Sequence, residues 1–416
     1  MPDLLHFRNF FYKEGKRDFE KLKLLVAPPY DVISEEEKKD YKNRHPDNIC
    51  HVILPETYEA AGKKLDQMIE DGTLIHERDR CICIYGIDYV RPDTGEKISR
   101  YGFVGLLKLV EIFPAQDGVI PHEMTFRKYT KDRYNLIKET DANFSPIFTV
   151  YNGNGAADKL FEKYTKKKPI LKTTDRDGFT HKIWEVWKEE DIQKFQDIVK
   201  NHSIIIADGH HRYTTSLRYS RHGGCKYIMS LFIDFNDPGL IIYTSHRQIH
   251  TSPAESIEDL KKRVAEKFNP ILETVKIDKF KLVMKKNKEN HVFGCYFQKK
   301  FIIFKLKPSI TPEEEIEGNH SKEWKNLNLP ILHDILLDNC LGIGKEDIDF
   351  IKGVRNGVTN VDQNESIKAL FMVNPTTLEE VHRITQLGEI MPQKSTYFYP
   401  KPLSGLVIHK HTDKIE

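Results

Sequence analysis

The sequence predicts a mixed α/β protein, α+β in detail, with more than one structural unit. Three observations carry this. Apolar runs at 146–151 and 203–207 alternate with a segment of helical period at 189–201. The turn-forming Pro92-Asp93-Thr94-Gly95 separates the strand-like runs 81–90 and 99–110, which makes a hairpin. A chain of 416 residues exceeds one ordinary core, so two or three units are expected. The expected partition is an N-terminal α/β region over 1–115, a central core over 116–250 and a C-terminal α/β domain over 251–416.

Taken in order, residues 26–33 contain Pro28 and Pro29 and are expected to be extended. Proline fixes φ, lacks a donor and pushes the preceding residue out of the helical region. Ser34-Glu35-Glu36-Glu37 has the pattern of a capping box opening a helix to about Arg44, which Pro46 ends. Residues 49–54 are expected as a strand and 59–72 as a helix. After the hairpin and a polar linker come Pro121-His122-Glu123 and a helix over 128–140. The strand 146–151 ends in the loop Asn152-Gly153-Asn154-Gly155. A second hairpin-like pair spans 170–187, a helix follows over 189–201, and the strand 203–207 leads to a helix continuing from Tyr213. Strands at 227–234 and 240–244 flank Asn236-Asp237-Pro238-Gly239. Beyond about 252 helices and strands alternate around a highly charged middle.

Composition narrows the function classes. Hydrophobic residues at 39% and charged residues at 30% describe an ordered globular chain. A formal net charge of +2 supplies no field for nucleic acid or an anionic membrane, so an anionic ligand needs a local cluster. The six cysteines follow no zinc or disulfide spacing. Cys81 and Cys83 share one face of a strand and are expected as small packing residues. The N-terminus lacks the apolar stretch of a signal peptide, and no run reaches membrane-spanning length. A cytoplasmic protein is the expectation.

The segment with most chemistry is Asp208-Gly209-His210-His211-Arg212. An apolar strand ends, a glycine turns the chain, and a helix begins. First-turn N–H groups and the positive dipole end make an anion site. Gly209 admits a close ligand. Arg212 suits phosphate oxygens, His210 and His211 donate or titrate near neutrality, and Asp208 suits a histidine partner or a magnesium ion. The bland alternative is a tight turn with structural histidines.

Four weaker segments follow. In Pro121-His122-Glu123, with Arg127, Lys128 and Arg133 after it, Glu123 suits a general base beside cations, or a dipole-favoured helix start. Asp31 binds substrate or metal, or caps a turn. His246 and Arg247 end a strand, where Arg247 suits a second phosphate clamp or a solvated end. Lys394-Ser395-Thr396 suits phosphate, or forms a loop pinned by Tyr397-Phe398-Tyr399. The P-loop, the dinucleotide-binding glycine turn and the His-Glu-x-x-His helix are absent from the sequence.

Four motifs stand in order: Ala-Pro-Pro-Tyr-Asp-Val at 27–32, Pro-His-Glu-Met-Thr at 121–125, Asp-Gly-His-His-Arg-Tyr at 208–213 and Met-Pro-Gln-Lys-Ser-Thr-Tyr-Phe-Tyr-Pro-Lys at 391–401. Together they resemble domain of unknown function 1015, over about residues 20–408. The turn also resembles that of the ParB/sulfiredoxin superfamily, and almost letter for letter that of its free serine kinases. The resemblance implies a ParB/sulfiredoxin-like catalytic core with added N- and C-terminal α/β regions. It implies a pyrophosphate-dependent kinase making O-phosphoserine from free L-serine, for serine or cysteine metabolism. It makes Glu123, or else Asp31, the base, with Asp208 and His211 also catalytic. Gly209, His210, His211, Arg212, Arg247, Lys394, Ser395 and Thr396 would hold the donor. Asp31, His122, Arg133 and His246 would bind substrate. Magnesium, at Asp208, would be the cofactor, with no tightly bound organic one. The partners would be small molecules alone, the chain being a monomer or homodimer. The alternatives are an ATP- or ADP-dependent serine kinase, a nucleotide-binding ParB-like switch, and a sulfiredoxin-like enzyme or phosphatase. Sulfiredoxin chemistry needs a cysteine where this turn has His210 and His211.

Overall fold

The computed structural model describes residues 1–91, 94–112, 118–123 and 127–411. Of the sequence expectations, Pro92-Asp93 of the hairpin turn, the linker residues 113–117, Met124-Thr125 and the side chains of Arg127 and Lys128 lie outside the described residues. Contacts divide the chain into two units, Met1–Ile241 with Phe398–Glu416, and Ile242–Tyr397.

The first unit is built on one sheet. Its strands are β1 (Leu4–Leu5), β2 (Ile82–Val90), β3 (Lys97–Lys108), β4 (Val119–Pro121), β5 (Ile147–Tyr151), β6 (Leu171–Thr174), β7 (Thr180–Val186), β8 (Ile204–Asp208) and β9 (Tyr227–Asp234). Among the described residues the order is β4-β8-β5-β9-β3-β2-β7-β6, with β1 on β3. The pairs β4·β8 and β5·β9 are parallel and the rest antiparallel, so the sheet is mixed. The helices that matter here are α1 (Glu35–Arg44), α2 (Tyr58–Glu70), α3 (Arg127–Thr140), α4 (Glu189–Asn201) and α5 (His210–Ser220). The capping box at the start of α1 forms, Ser34 accepting from the Glu37 amide while Glu37 accepts from the Ser34 amide. Alternation along the strands gives one sheet face to a core of Ile84, Phe103, Ile147, Phe195, Ile204, Ile206, Tyr213 and Phe232. There the Phe103 ring lies 4.6 Å from Phe195 and 5.0 Å from Phe232.

Three expectations are corrected. Residues 49–54 are not a strand: Cys50–Ile53 is a short helix. The Asn48 side chain sets it, accepting from the Cys50 amide and donating to the carbonyls of Leu24 and Val26. The extended segment at 26–33 closes into one tight helical turn, Tyr30–Val32. The boundary at 115/116 falls within a single sheet, because β2 and β3 from one side of it pair with β7 and β9 from the other. Cys81 and Cys83 are buried free thiols with sulfurs 3.8 Å apart, as packing residues would be. Among the described residues no helix is long and apolar enough to cross a membrane.

Glu185 on β7 is buried beside Glu77. Burial, with the charge of Glu77, raises its pKa from 4.5 to about 7. The folded protein therefore keeps a proton that the unfolded chain releases near 4.5. The associated stability is present below that value and is lost as pH rises through about 7. Glu185→Gln is expected to leave thermal stability nearly unchanged at acidic pH and to raise it at alkaline pH, by about 1–3 kcal/mol. Melting curves on both sides of neutrality check this.

The second unit carries β10 (Ser245–Ile249), β11 (Phe268–Thr274), β12 (Val292–Phe297), β13 (Lys300–Leu306), β14 (Ile348–Lys352) and β15 (Ala369–Val373). They form an antiparallel sheet ordered β11-β13-β12-β15-β10-β14 over a core that includes Phe293, Ile302, Phe304, Leu336 and Phe371.

Candidate functional site

The site in the first unit grows from the end of β8. The apolar Ile204-Ile205-Ile206 holds the strand in the sheet, and its register against β5 shifts between Ile206 and Asp208. A bulge of this kind re-aims the side chain that follows, here Asp208. Gly209 then takes φ 94°, ψ 25°, a conformation that favours glycine. A β-carbon there would also lie 2.8 Å from Ile147 Cγ2 and 2.9 Å from Arg212 Nη2. Glycine is needed twice, for the turn and for the return of Arg212 across it. Helix α5 starts at His210 with no side-chain cap on its first amides. The Tyr213 hydroxyl anchors the helix, accepting from Val110 N and donating to Val110 O, both at 3.0 Å.

Asp208 is the hub. One oxygen lies 2.5 Å from Lys401 Nζ and the other 3.1 Å from Arg212 Nη2. Burial opposes its ionisation, but the charges of Lys401 and Arg212 outweigh burial and hold its carboxyl below the usual range. Lys401 Nζ also lies 3.1 Å from Asp31 Oδ2, so one ammonium bridges two carboxylates. Arg212 Nη1 donates to Ser145 Oγ at 2.9 Å, to Pro146 O at 2.8 Å and to Ser145 O at 3.2 Å. It ties the strand-end turn to the loop before β5.

The histidines divide. His122 is buried, and its Nδ1 donates to Ile206 O at 2.6 Å. Its backbone amide donates to His210 Nε2 at 3.2 Å, and the two rings meet edge to face at 4.7 Å. Burial first, then the charges of His122, His211 and Arg212, hold the His210 pKa well below 6.5, so His210 is neutral. His211 is half-buried. Glu123 Oε1 lies 3.9 Å from His122 Nε2, which places that carboxylate beside the histidine pair. Arg133 is held by Asp132 and by Ile53 O at 2.9 Å, and lies 4.1 Å over the Tyr30 ring. Burial, then Asp31, raises the Tyr30 pKa. Tyr30, Arg133, Ser145, Arg212 and Ser216 line a cavity of about 60 Å³ behind the turn.

The structure joins Asp31 to the turn through Lys401, a residue that sequence reasoning did not single out. Lys401, not Lys394, is the cation on Asp208. The signal available was a lysine after Tyr-Phe-Tyr-Pro at the end of the fourth motif. Lys394, Ser395, Thr396, His246 and Arg247 all belong to the second unit. There Lys394 is exposed, Ser395 is buried and Thr396 is half-buried. The expected strand-end clamp Arg247 is a wholly buried group of this unit's interior. Its Nε donates to His333 Nε2 at 3.0 Å and its guanidinium lies 5.1 Å over the Phe350 ring. Burial, with the Arg247 charge, pushes His246 down to about 4, so it is neutral.

The fit to magnesium fails on the donor set. Both Asp208 oxygens face cations. Among the described residues no group of three or more His, Cys, Asp or Glu side chains gathers as a metal site.

A family model described as "Protein of unknown function (DUF1015)" matches residues 6–329. No curated protein matches the chain. Among solved structures, a mutant free serine kinase in complex with ADP aligns at 15% identity and TM-score 0.34, over 69% of this chain and 88% of its own. A conserved hypothetical protein from Pyrococcus furiosus aligns at 15% identity and TM-score 0.32, over 69% and 90%. SbnI with C-terminal truncation from Staphylococcus aureus aligns at 12% identity and TM-score 0.32, over 71% and 82%. Scores this low leave any activity to be argued from the site itself.

Proposed function

We propose that this chain, which belongs to the DUF1015 family, transfers a phosphoryl group from inorganic pyrophosphate to the hydroxyl of free L-serine, giving O-phosphoserine. One observation carries the reading. The strand end delivers Asp208 and an uncapped helix start to one point, where Lys401 and Arg212 converge on the same carboxylate. The acceptor comes from the resemblance of the Asp-Gly-His-His-Arg turn to that of the free serine kinases, and the donor from the resemblance of this larger form of chain to kinases that use pyrophosphate.

Phosphoryl transfer asks a protein mainly for positioning and for charge opposite the transferring group. In the proposed reaction the first-turn amides of α5 and His211 face the donor phosphates. Lys401, shared between Asp31 and Asp208, turns toward them as they arrive. The serine Oγ forms its bond to phosphorus as the bridging P–O bond breaks. Its proton passes to the Glu123 carboxylate, and inorganic phosphate leaves with the bridging oxygen.

The test is direct. Purified protein in magnesium buffer is given L-serine with pyrophosphate, ATP or ADP in separate reactions, and O-phosphoserine is measured. Product with pyrophosphate is expected. Product with a nucleotide alone replaces the donor, and no product with any of the three rejects the kinase reading.

A further inference from the structure

Arg100 lies on β3 and is 1% exposed, one of the largest fully buried side chains in the protein. Its Nε, Nη1 and Nη2 are all buried and all lack a hydrogen-bond partner. A guanidinium carries five N–H donors and stays charged in proteins. An uncompensated buried charge is among the costliest arrangements a fold can hold. The carboxylate whose field reaches it, Asp237, is engaged elsewhere. Asp237 accepts from Gly239 N at 2.7 Å and from Tyr101 N at 3.2 Å. Burial pulls the Arg100 pKa down to about 10.

The direction of the side chain is informative. Arg100 starts on β3, and its guanidinium lies 4.9 Å over the ring of Phe148 on β5. Strand β9 separates those two in the sheet order, so the arginine reaches across a neighbouring strand toward β8. Phe148 is itself the register partner of Asp208. The same Phe148 ring meets Phe398 edge to face at 5.9 Å, and Phe398 meets His122 at 5.6 Å. Three residues on, Lys401 contacts Asp208, and Leu403 N then donates to Tyr85 OH at 2.9 Å. Tyr85 and Tyr89 also flank Arg100 electrostatically. The orphaned cation and the Asp208 cluster thus lie on one sheet face, reached by one returning segment, 398–403.

We infer that Arg100 binds an oxyanion of a small ligand of this unit, a phosphoryl or carboxylate group, beneath the segment that brings Lys401 to Asp208. A guanidinium with every donor unengaged matches either group bidentately. The inference does not require the transfer reaction, only that the unit binds such an anion.

Thermal unfolding of the full chain, titrated separately with sodium phosphate, sodium pyrophosphate and L-serine at matched ionic strength, tests it. In the wild type at least one probe is expected to raise the midpoint by roughly 4 °C near saturation. Arg100→Met is expected to abolish that rise and to melt, without ligand, no lower than the wild type, because it removes an unpaired charge. A lost response to phosphate or pyrophosphate assigns the site to the phosphoryl group, and a lost response to L-serine assigns it to the carboxylate. If Arg100→Met is recovered unfolded, Arg100→Gln takes its place. An unchanged rise in the variant, or no rise with any probe in the wild type, overturns the inference. An Arg100-dependent rise in a protein that makes no O-phosphoserine keeps the anion site and rejects the kinase reading.

Discussion

Replacing Asp208 with asparagine is expected to abolish most serine phosphorylation, at least 100-fold, and to destabilise the first unit by about 2–3 kcal/mol. The shape survives in Asp208→Asn, so the loss reads the charge. Lys401 is 8% exposed and Arg212 15%, and each keeps its position partly through this carboxylate. Without it two poorly hydrated cations stand close together. Asp31 is 41% exposed and compensates Lys401 only weakly. The pH dependence has a definite sign. Asp208 titrates below its ordinary 3.8 in the fold, so its stabilisation is present above that value and is lost as pH falls through the folded-state pKa. The stability gap between wild type and Asp208→Asn is therefore widest at neutral pH and narrows on acidification. Denaturant melts at neutral and acidic pH measure it. Equal stability at neutral pH together with full activity would sink the assignment of Asp208 as the hub.

Local signals in the sequence were sufficient where the determinants are local. The capping box of α1, the acidic start of α4 and the apolar run of β9 are each set by residues a few positions apart, and the elements lie where expected. The apolar run at 49–54 fails because Asn48 binds carbonyls at 24 and 26, which local pattern does not contain. The boundary at 115 fails for the same reason, since β3 pairs with β9 more than a hundred residues away.

The site follows the same rule. Asp208, Gly209 and Arg212 are legible because one turn holds them. Lys401 is 193 residues from Asp208, and only the fold brings it there. Lys394 stands beside two hydroxyls, a local feature that carries no information about position. Arg100 was legible in principle. It shares a strand face with Gly102, Val104 and Leu106, the latter two buried and apolar, so period two alone puts a cation on an apolar face. Burial without a partner is set by the fold around it, which the strand's own residues do not contain.

Arg212 is expected to behave first as a positioning residue. Its Nη1 meets three oxygens on Ser145 and Pro146 while Nη2 meets Asp208. A lysine at this position offers three donors from a single nitrogen and lacks the planar fork that spans both partners. Arg212→Lys is therefore expected to hold either the loop or Asp208. It should lower stability by about 1–2 kcal/mol, and Arg212→Ala by about 3 kcal/mol, since four hydrogen bonds disappear, one of them the ion pair to Asp208. Activity should fall at least 30-fold in Arg212→Lys, mostly in kcat, because a loosened turn misplaces the α5 amides and Lys401 in the transition state. The KM for pyrophosphate separates the roles. A KM near the wild-type value with a low kcat marks positioning, whereas a KM raised in step with the loss marks a direct phosphate contact. Full activity in Arg212→Ala would remove the turn from the mechanism altogether, since Arg212 joins the strand end to the loop before β5.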